Sequence, residues 1–185
     1  MKPAPVRWTR PILGFAAWSG TGKTTLLTQL IPMLRAHGLR IAMVKHAHHD
    51  FDVDKPGKDS YELRKSGASQ MLIASSRRMA LMTEFEPPGE PRLADLLRQL
   101  VPERADLVLV EGFKGERFPK IELHRPGLGK PLMFPDDPDI IAVASDAPLP
   151  VPCDRSLLDL NDAEAICAFV LQWQRESARD DNHTP

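Results

Sequence analysis

The chain has 185 residues, a formal net charge of −1, and 42% hydrophobic against 26% charged residues. That balance fits a soluble globular protein able to bury its own core, and gives no overall electrostatic reason to expect nucleic acid or an anionic membrane as partner. No run approaches the roughly 18 apolar residues that span a bilayer, and Cys153 and Cys167 form neither a metal-type pair nor a disulfide framework, which suits a reducing cytoplasm.

Residues 1–10 are short and basic and are expected to be a flexible terminus, leaving one domain over 11–175 and a second flexible terminus over 176–185. Residues 11–18 read as a buried strand, with Ile12, Leu13, Phe15, Ala16 and Ala17 apolar before a turn signal. From Lys23 the pattern becomes helical: Leu26, Leu27, Leu30, Ile31 and Leu34 recur at three- and four-residue spacing. Pro32 is expected to kink that helix, and Gly38 is placed to end it. Residues 39–44 form a second strand candidate, completing a βαβ unit with a right-handed crossover and a parallel sheet.

The polar stretch 45–59 is a long loop of the kind that carries function. A short helix is expected over 60–65, then strands over 70–74 and 78–83, and a helix over 91–100 with Leu93, Leu96, Leu97 and Leu100 on one face. Residues 106–111 read as a buried parallel strand ending in Glu111. Shorter strands follow over 121–124 and 139–144, and an amphipathic helix over 162–173 capped by Asn161 or Asp162. The residues from Gln174 onward are polar and are expected to be disordered. The 18 prolines, gathered mostly between positions 87 and 152, mark short elements joined by fixed turns.

The segment Ser19-Gly20-Thr21-Gly22-Lys23-Thr24-Thr25 lies between that first strand and first helix. A triphosphate carries about four negative charges, and backbone N–H groups of a loop built from small residues can converge on them. Gly20 and Gly22 permit the wrap, and the helix start adds free N–H groups and its positive dipole end. Lys23 is placed to reach the β- and γ-phosphates and Thr24 to put its hydroxyl on Mg²⁺. Ala17 stands where the first glycine of the phosphate-loop pattern is expected, and a positive φ there would strain it.

Glu111, at the end of its strand, is the best candidate for a second acid on the metal or its water. Asp59 and Asp54 are weaker candidates for a γ-phosphate switch, and Asp59 also for a metal ligand. The run Lys45-His46-Ala47-His48-His49-Asp50 admits three readings: a loop meeting anions, a transition-metal site, or plain solvated structure. Base choice is poorly encoded, since no Asn-Lys-x-Asp tetrad is present. Asp146, after a suitable strand, can take the role of accepting from guanine, which favours GTP over ATP only slightly.

Together the segments 16–26, 44–50, 52–61, 80–84, 109–114 and 141–146 resemble the molybdopterin-guanine dinucleotide biosynthesis adapter family, MobB, over about residues 11–161. The run Asp52-Val53-Asp54-Lys55-Pro56-Gly57-Lys58-Asp59-Ser60 is the most specific part of the match. The resemblance implies an α/β, P-loop NTPase-like fold, with a mostly parallel sheet flanked by helices and a small extra β region. It implies a cytoplasmic, homodimeric GTP-binding adapter with weak GTPase activity and Mg²⁺, supporting molybdenum cofactor biosynthesis. Its expected partners are the molybdenum cofactor guanylyltransferase and the molybdenum-insertion enzyme. A P-loop small-molecule kinase and a metallochaperone remain the alternatives, and 87–135 is a candidate dimer surface.

Overall fold

The core begins at β1 (Ile12–Ala17), all six of whose residues are buried in the computed structural model, which describes residues 4–47 and 51–180. In chain order there follow α1 (Lys23–Ala36), β2 (Ile41–Lys45), α2 (Asp59–Lys65), β3 (Gln70–Ala74), β4 (Met79–Thr83) and α3 (Leu93–Leu97). β5 (Leu107–Glu111), β6 (Lys120–His124), β7 (Ile140–Ser145), β8 (Ser156–Asp159) and α4 (Ala163–Asp180) complete the chain.

Two compact units result, one from Met1–His46 with Arg92–Pro185 and one from Ala47–Pro91. The larger unit holds a six-stranded sheet in the order β2-β5-β1-β6-β7-β8, parallel at every pairing. β1 therefore sits in the middle, which is why it is apolar on both faces. Side chains alternate across the sheet. Leu13, Phe15 and Ala17 of β1 and Leu107 and Leu109 of β5 face α1 and α4. Ile12, Val108 and Val110 point the other way, toward Leu93 and Leu97 of α3 and toward Phe113 and Phe118.

α1 continues through Pro32 to Ala36 and stops at Gly38, whose φ of 86° lets Leu39 N–H reach back to Leu34 O at 3.3 Å. α3 is shorter than the leucine spacing predicts. After Leu97 the bonds tighten to three-residue reach, Leu100 N–H to Leu97 O at 3.1 Å, yet Leu96 and Leu100 still lie against the same cluster. β8, an edge strand with Leu157 and Leu158, has no counterpart among the elements that the sequence pattern predicts.

α4 differs from the sequence reading at its far end, where helix runs on to Asp180. The residues are polar, but they are good helix formers, and Gln172 Nε2 donates to Glu176 Oε1 at 3.0 Å across one turn. Its start is capped by Asp162, whose Oδ1 accepts from Ala165 N–H at 2.8 Å. At the other terminus, Val6 N–H donates to Arg117 O at 2.8 Å, and Val6 and Trp8 lie against the α3 face. The first ten residues are thus docked from Pro5 on.

The smaller unit carries α2 and the antiparallel pair β3–β4. The Arg64 guanidinium, with a side chain only 8% exposed, pairs with Asp52 at 2.6 Å and Glu84 at 2.7 Å. Those two acids raise the pKa of Arg64. Asp54 Oδ1 accepts from Ser60 Oγ at 3.0 Å and fixes the approach to α2. Asp59, a sequence candidate for metal, is the first residue of α2 in this unit.

Candidate functional site

β1 ends at Ala17, and the phosphate-loop segment follows at the carboxyl edge of the parallel sheet, where such folds bind ligands. Ala17 is 2% exposed and lies within the strand, outside the left-handed backbone region. The alanine in place of glycine therefore brings no strain. The left-handed conformations fall at Gly20, φ 83°, and Gly22, φ 96°, where a side chain would be costly.

Thr21 braces the loop from within. Its side chain is buried, and its Oγ1 donates to Trp18 O at 2.8 Å. Ser19, Gly20, Thr24 and Thr25 are exposed. Gly22 is the N-cap of α1, no side chain caps the helix, and no acid lies in its first turn. The first N–H groups of a 14-residue helix are thereby left for an anion.

Lys23, first residue of α1, directs Nζ to 3.7 Å from Glu111 Oε1, while Lys45 Nζ stands 3.4 Å from Glu111 Oε2. Three strand and helix ends thus converge: β1 through the loop, β2 through Lys45, and β5 through Glu111. The Glu111 side chain is 14% exposed. Immediately after it the backbone turns sharply, with Gly112 at φ 98° and Phe113 at φ 54°. A Cβ on Gly112 would meet His46 Cβ at 2.6 Å, and the His46 ring stacks on Phe113 with centroids 4.8 Å apart. His46 is therefore part of the packing behind Glu111. His48, His49 and Asp50 lie outside the described residues. Among the described residues, no group of three or more His, Cys, Asp or Glu side chains is placed to hold a metal.

Asp146 follows β7 and is tied to the loop by a residue that sequence reasoning missed. Arg125 Nη1 donates to Asp146 Oδ2 at 2.6 Å, and its Nε donates to Thr21 O at 2.8 Å. A Cβ added to Gly22 would stand 3.7 Å from Arg125 Nη2. One guanidinium thus spans the phosphate loop and the candidate base-reading acid. No sequence signal marks Arg125, because it follows β6 in an irregular turn.

Residues 12–146 match the family described as Molybdopterin guanine dinucleotide synthesis protein B. The chain belongs to this family. It is 54% identical over 167 residues to the molybdopterin-guanine dinucleotide biosynthesis adapter protein of Escherichia coli (strain K12), covering 90% of this chain and 94% of the relative. The Haemophilus influenzae protein of the same description is 46% identical, with coverages of 88% and 89%. A crystal structure of molybdopterin-guanine biosynthesis protein B superposes with a TM-score of 0.68 at 29% identity, over 89% of this chain and 99% of that one. A MobB homologue from Bacillus stearothermophilus gives 0.65 at 25% identity, over 89% and 98%. The mostly parallel sheet flanked by helices is the P-loop architecture expected for the family, and no described helix is long and apolar enough to cross a membrane.

Proposed function

We propose that this member of the MobB family is a GTP-binding adapter in molybdopterin guanine dinucleotide biosynthesis. The observation that carries nucleotide binding is the uncapped start of α1 beneath Gly20 and Gly22, with the Lys23 ammonium beside it. The role in the pathway rests on the identity to the named adapters.

In this reading, backbone N–H groups from Ser19 to Thr25 cradle the phosphates and Lys23 neutralises charge at the β–γ bridge. The Thr24 hydroxyl and the Glu111 carboxylate are hard oxygen donors suited to Mg²⁺. Mg²⁺ would supply charge neutralisation on the phosphate oxygens. Glu111 is held meanwhile between Lys23 and Lys45, so phosphate arrival draws Lys23 off the acid and leaves an oxygen for the metal side. Asp146 reads guanine through its N–H donors, positioned by Arg125. Turnover by the isolated protein is slow, at most that of a weak GTPase, because residues 19–25 supply neither an arginine nor a glutamine. The protein acts in the cytoplasm as a homodimer with the guanylyltransferase and the molybdenum-insertion enzyme.

Calorimetric titration with GTP, ATP and GDP, with Mg²⁺ and with EDTA, tests the nucleotide part. Tighter binding of GTP than ATP, weakened by EDTA, is expected; ATP binding as tightly as GTP would remove the guanine assignment. Co-purification with the guanylyltransferase, strengthened by GTP, tests the adapter part.

A further inference from the structure

Period-two alternation gives β1 a second face, away from α1, on which Gly14 and Ala16 lie opposite Lys120 and Glu122 of β6. Two charged side chains are buried there, Lys120 at 1% exposed and Glu122 at 0%. Burying charge is costly unless every group is bonded. Both are bonded to the same segment: Glu122 accepts from Met133 N–H and Phe134 N–H at 2.8 Å each, and Lys120 Nζ donates to Asp137 at 3.0 Å. The pair pins residues 131–137 as a fixed wall over the sheet. Trp18 closes a further side, its Nε1 donating to Pro131 O at 2.8 Å.

Between wall and sheet lies a cavity of about 400 Å³, lined by Ala16, Trp18, Lys114, Leu132, Met133 and Asp136, among others. Its charges are unequally satisfied. Arg117 pairs with Asp139 at 3.2 Å, Asp137 with Lys120, and Glu116 Oε1 accepts from Leu93 N–H at 2.7 Å. The Lys114 ammonium sits over the Trp18 ring, 4.5 Å from its centroid, with no carboxylate within ion-pair distance among the described residues. Burial, reinforced by the neighbouring Lys23 charge and only partly offset by the Glu122 carboxylate, pushes its pKa below the ordinary lysine value. An anion would relieve that cost. Across the cavity the Asp136 side chain is exposed at the rim, an acceptor for N–H donors.

We propose that this cavity is a second ligand site, adjoining the phosphate loop but lined by other residues, for a phosphorylated amino-heterocycle whose phosphate sits on Lys114. Leu132, Met133 and the Trp18 edge would cover the flat ring, and Asp136 would accept from its amino group. Pterin and guanine phosphates share this chemistry. The cavity adjoins the phosphate loop at Trp18 and Lys114 feels the Lys23 charge, but none of residues 19–25 lines it, so both sites can be filled together.

The test titrates 6-hydroxymethylpterin phosphate, GMP, unphosphorylated 6-hydroxymethylpterin and inorganic phosphate into the protein, first free and then saturated with guanosine 5′-(βγ-imido)triphosphate. The expected result is saturable one-to-one binding of at least one ring phosphate in both forms, at least tenfold tighter than the unphosphorylated ring or inorganic phosphate. Whichever ring phosphate binds tighter to the saturated protein identifies the ring. Lys114→Gln and the cavity-filling Met133→Trp should each weaken that binding at least tenfold while the triphosphate analogue binds within threefold of the original. Loss of ring-phosphate binding on saturation, or unchanged binding in both variants, overturns the proposal. Failure of the triphosphate to bind strikes the proposed function instead, and leaves the free-protein titration to decide the second site.

Discussion

Lys23 Nζ stands 3.7 Å from Glu111 Oε1, which joins the first residue of α1 to the last residue of β5. The lysine that would hold phosphate is thus held beforehand by the acid that would face the metal. Removing either partner should separate the two roles. Lys23→Ala should weaken GTP binding by about 10- to 100-fold, as expected for loss of a charge-assisted contact. Glu111→Gln frees the lysine, so GTP in EDTA should bind as well as before or better, while the gain on adding Mg²⁺ shrinks. Calorimetry with and without metal reads both effects, and an undiminished Mg²⁺ gain in Glu111→Gln would take that carboxylate out of the metal assignment. Thr24→Ala should likewise reduce the Mg²⁺ gain.

Arg125 connects Thr21 O to Asp146, so the loop and the proposed base-reading acid should be energetically coupled. Asp146→Asn is expected to cut the GTP-over-ATP preference, and Arg125→Gln to weaken GTP and ATP together by about tenfold, the scale of one hydrogen bond to a charged group. The double variant should fall short of the sum of the two single effects, because the residues touch. Strictly additive losses would show that Arg125 acts on the loop alone.

Arg40 and Asp106 clamp the start of β2 to the start of β5: Arg40 N–H donates to Asp106 Oδ2 at 2.8 Å and Arg40 Nη2 lies 2.6 Å from Oδ1. The guanidinium bond, with the backbone N–H, holds the Asp106 pKa down to about 2. A depressed folded pKa stabilises above the unfolded value, near ~3.9, and the contribution is lost as pH falls through the folded one. Asp106→Asn should therefore melt lower than the parent at pH 7, with the gap closing between about pH 4 and pH 2. A gap of constant size across that range would mean the pair carries no proton-linked stability.

Gly14 has no left-handed backbone, so its smallness is about space alone. A Cβ there would meet Phe118 Cε2 at 2.5 Å and Lys120 Cγ at 3.0 Å. Gly14→Ala is expected to cost about 1–3 kcal/mol by overpacking, read by denaturant unfolding. Combined with Phe118→Leu, which vacates the ring position, it should cost less than the two changes summed. Full additivity would mean that the ring is not what limits the site.

The phosphate loop could be read directly because its chemistry is local: consecutive residues supply the glycines, the lysine and the hydroxyls, and the strand before and helix after follow from hydropathy period. The place of Glu111 at a strand end is legible for the same reason, since it closes an apolar run. Polarity from Gln174 onward points to disorder, whereas helix formers with one-turn side-chain contacts extend a helix that is already anchored by Ile166, Cys167, Val170 and Leu171 in the core. β8 is a four-residue edge strand, and a segment that short carries too few alternations to stand out.

By itself, then, the sequence determined the parallel α/β architecture, the place of the phosphate loop and the family, all of which depend on contiguous patterns. The tertiary structure alone decided that Ala17 needs no glycine, that Arg125 bridges residues 21 and 146, and that buried Lys120 and Glu122 hold a wall over a cavity beside Trp18. These relationships join residues far apart in the chain through the order of strands in the sheet. Neither hydropathy nor motif spacing encodes which strand ends become neighbours.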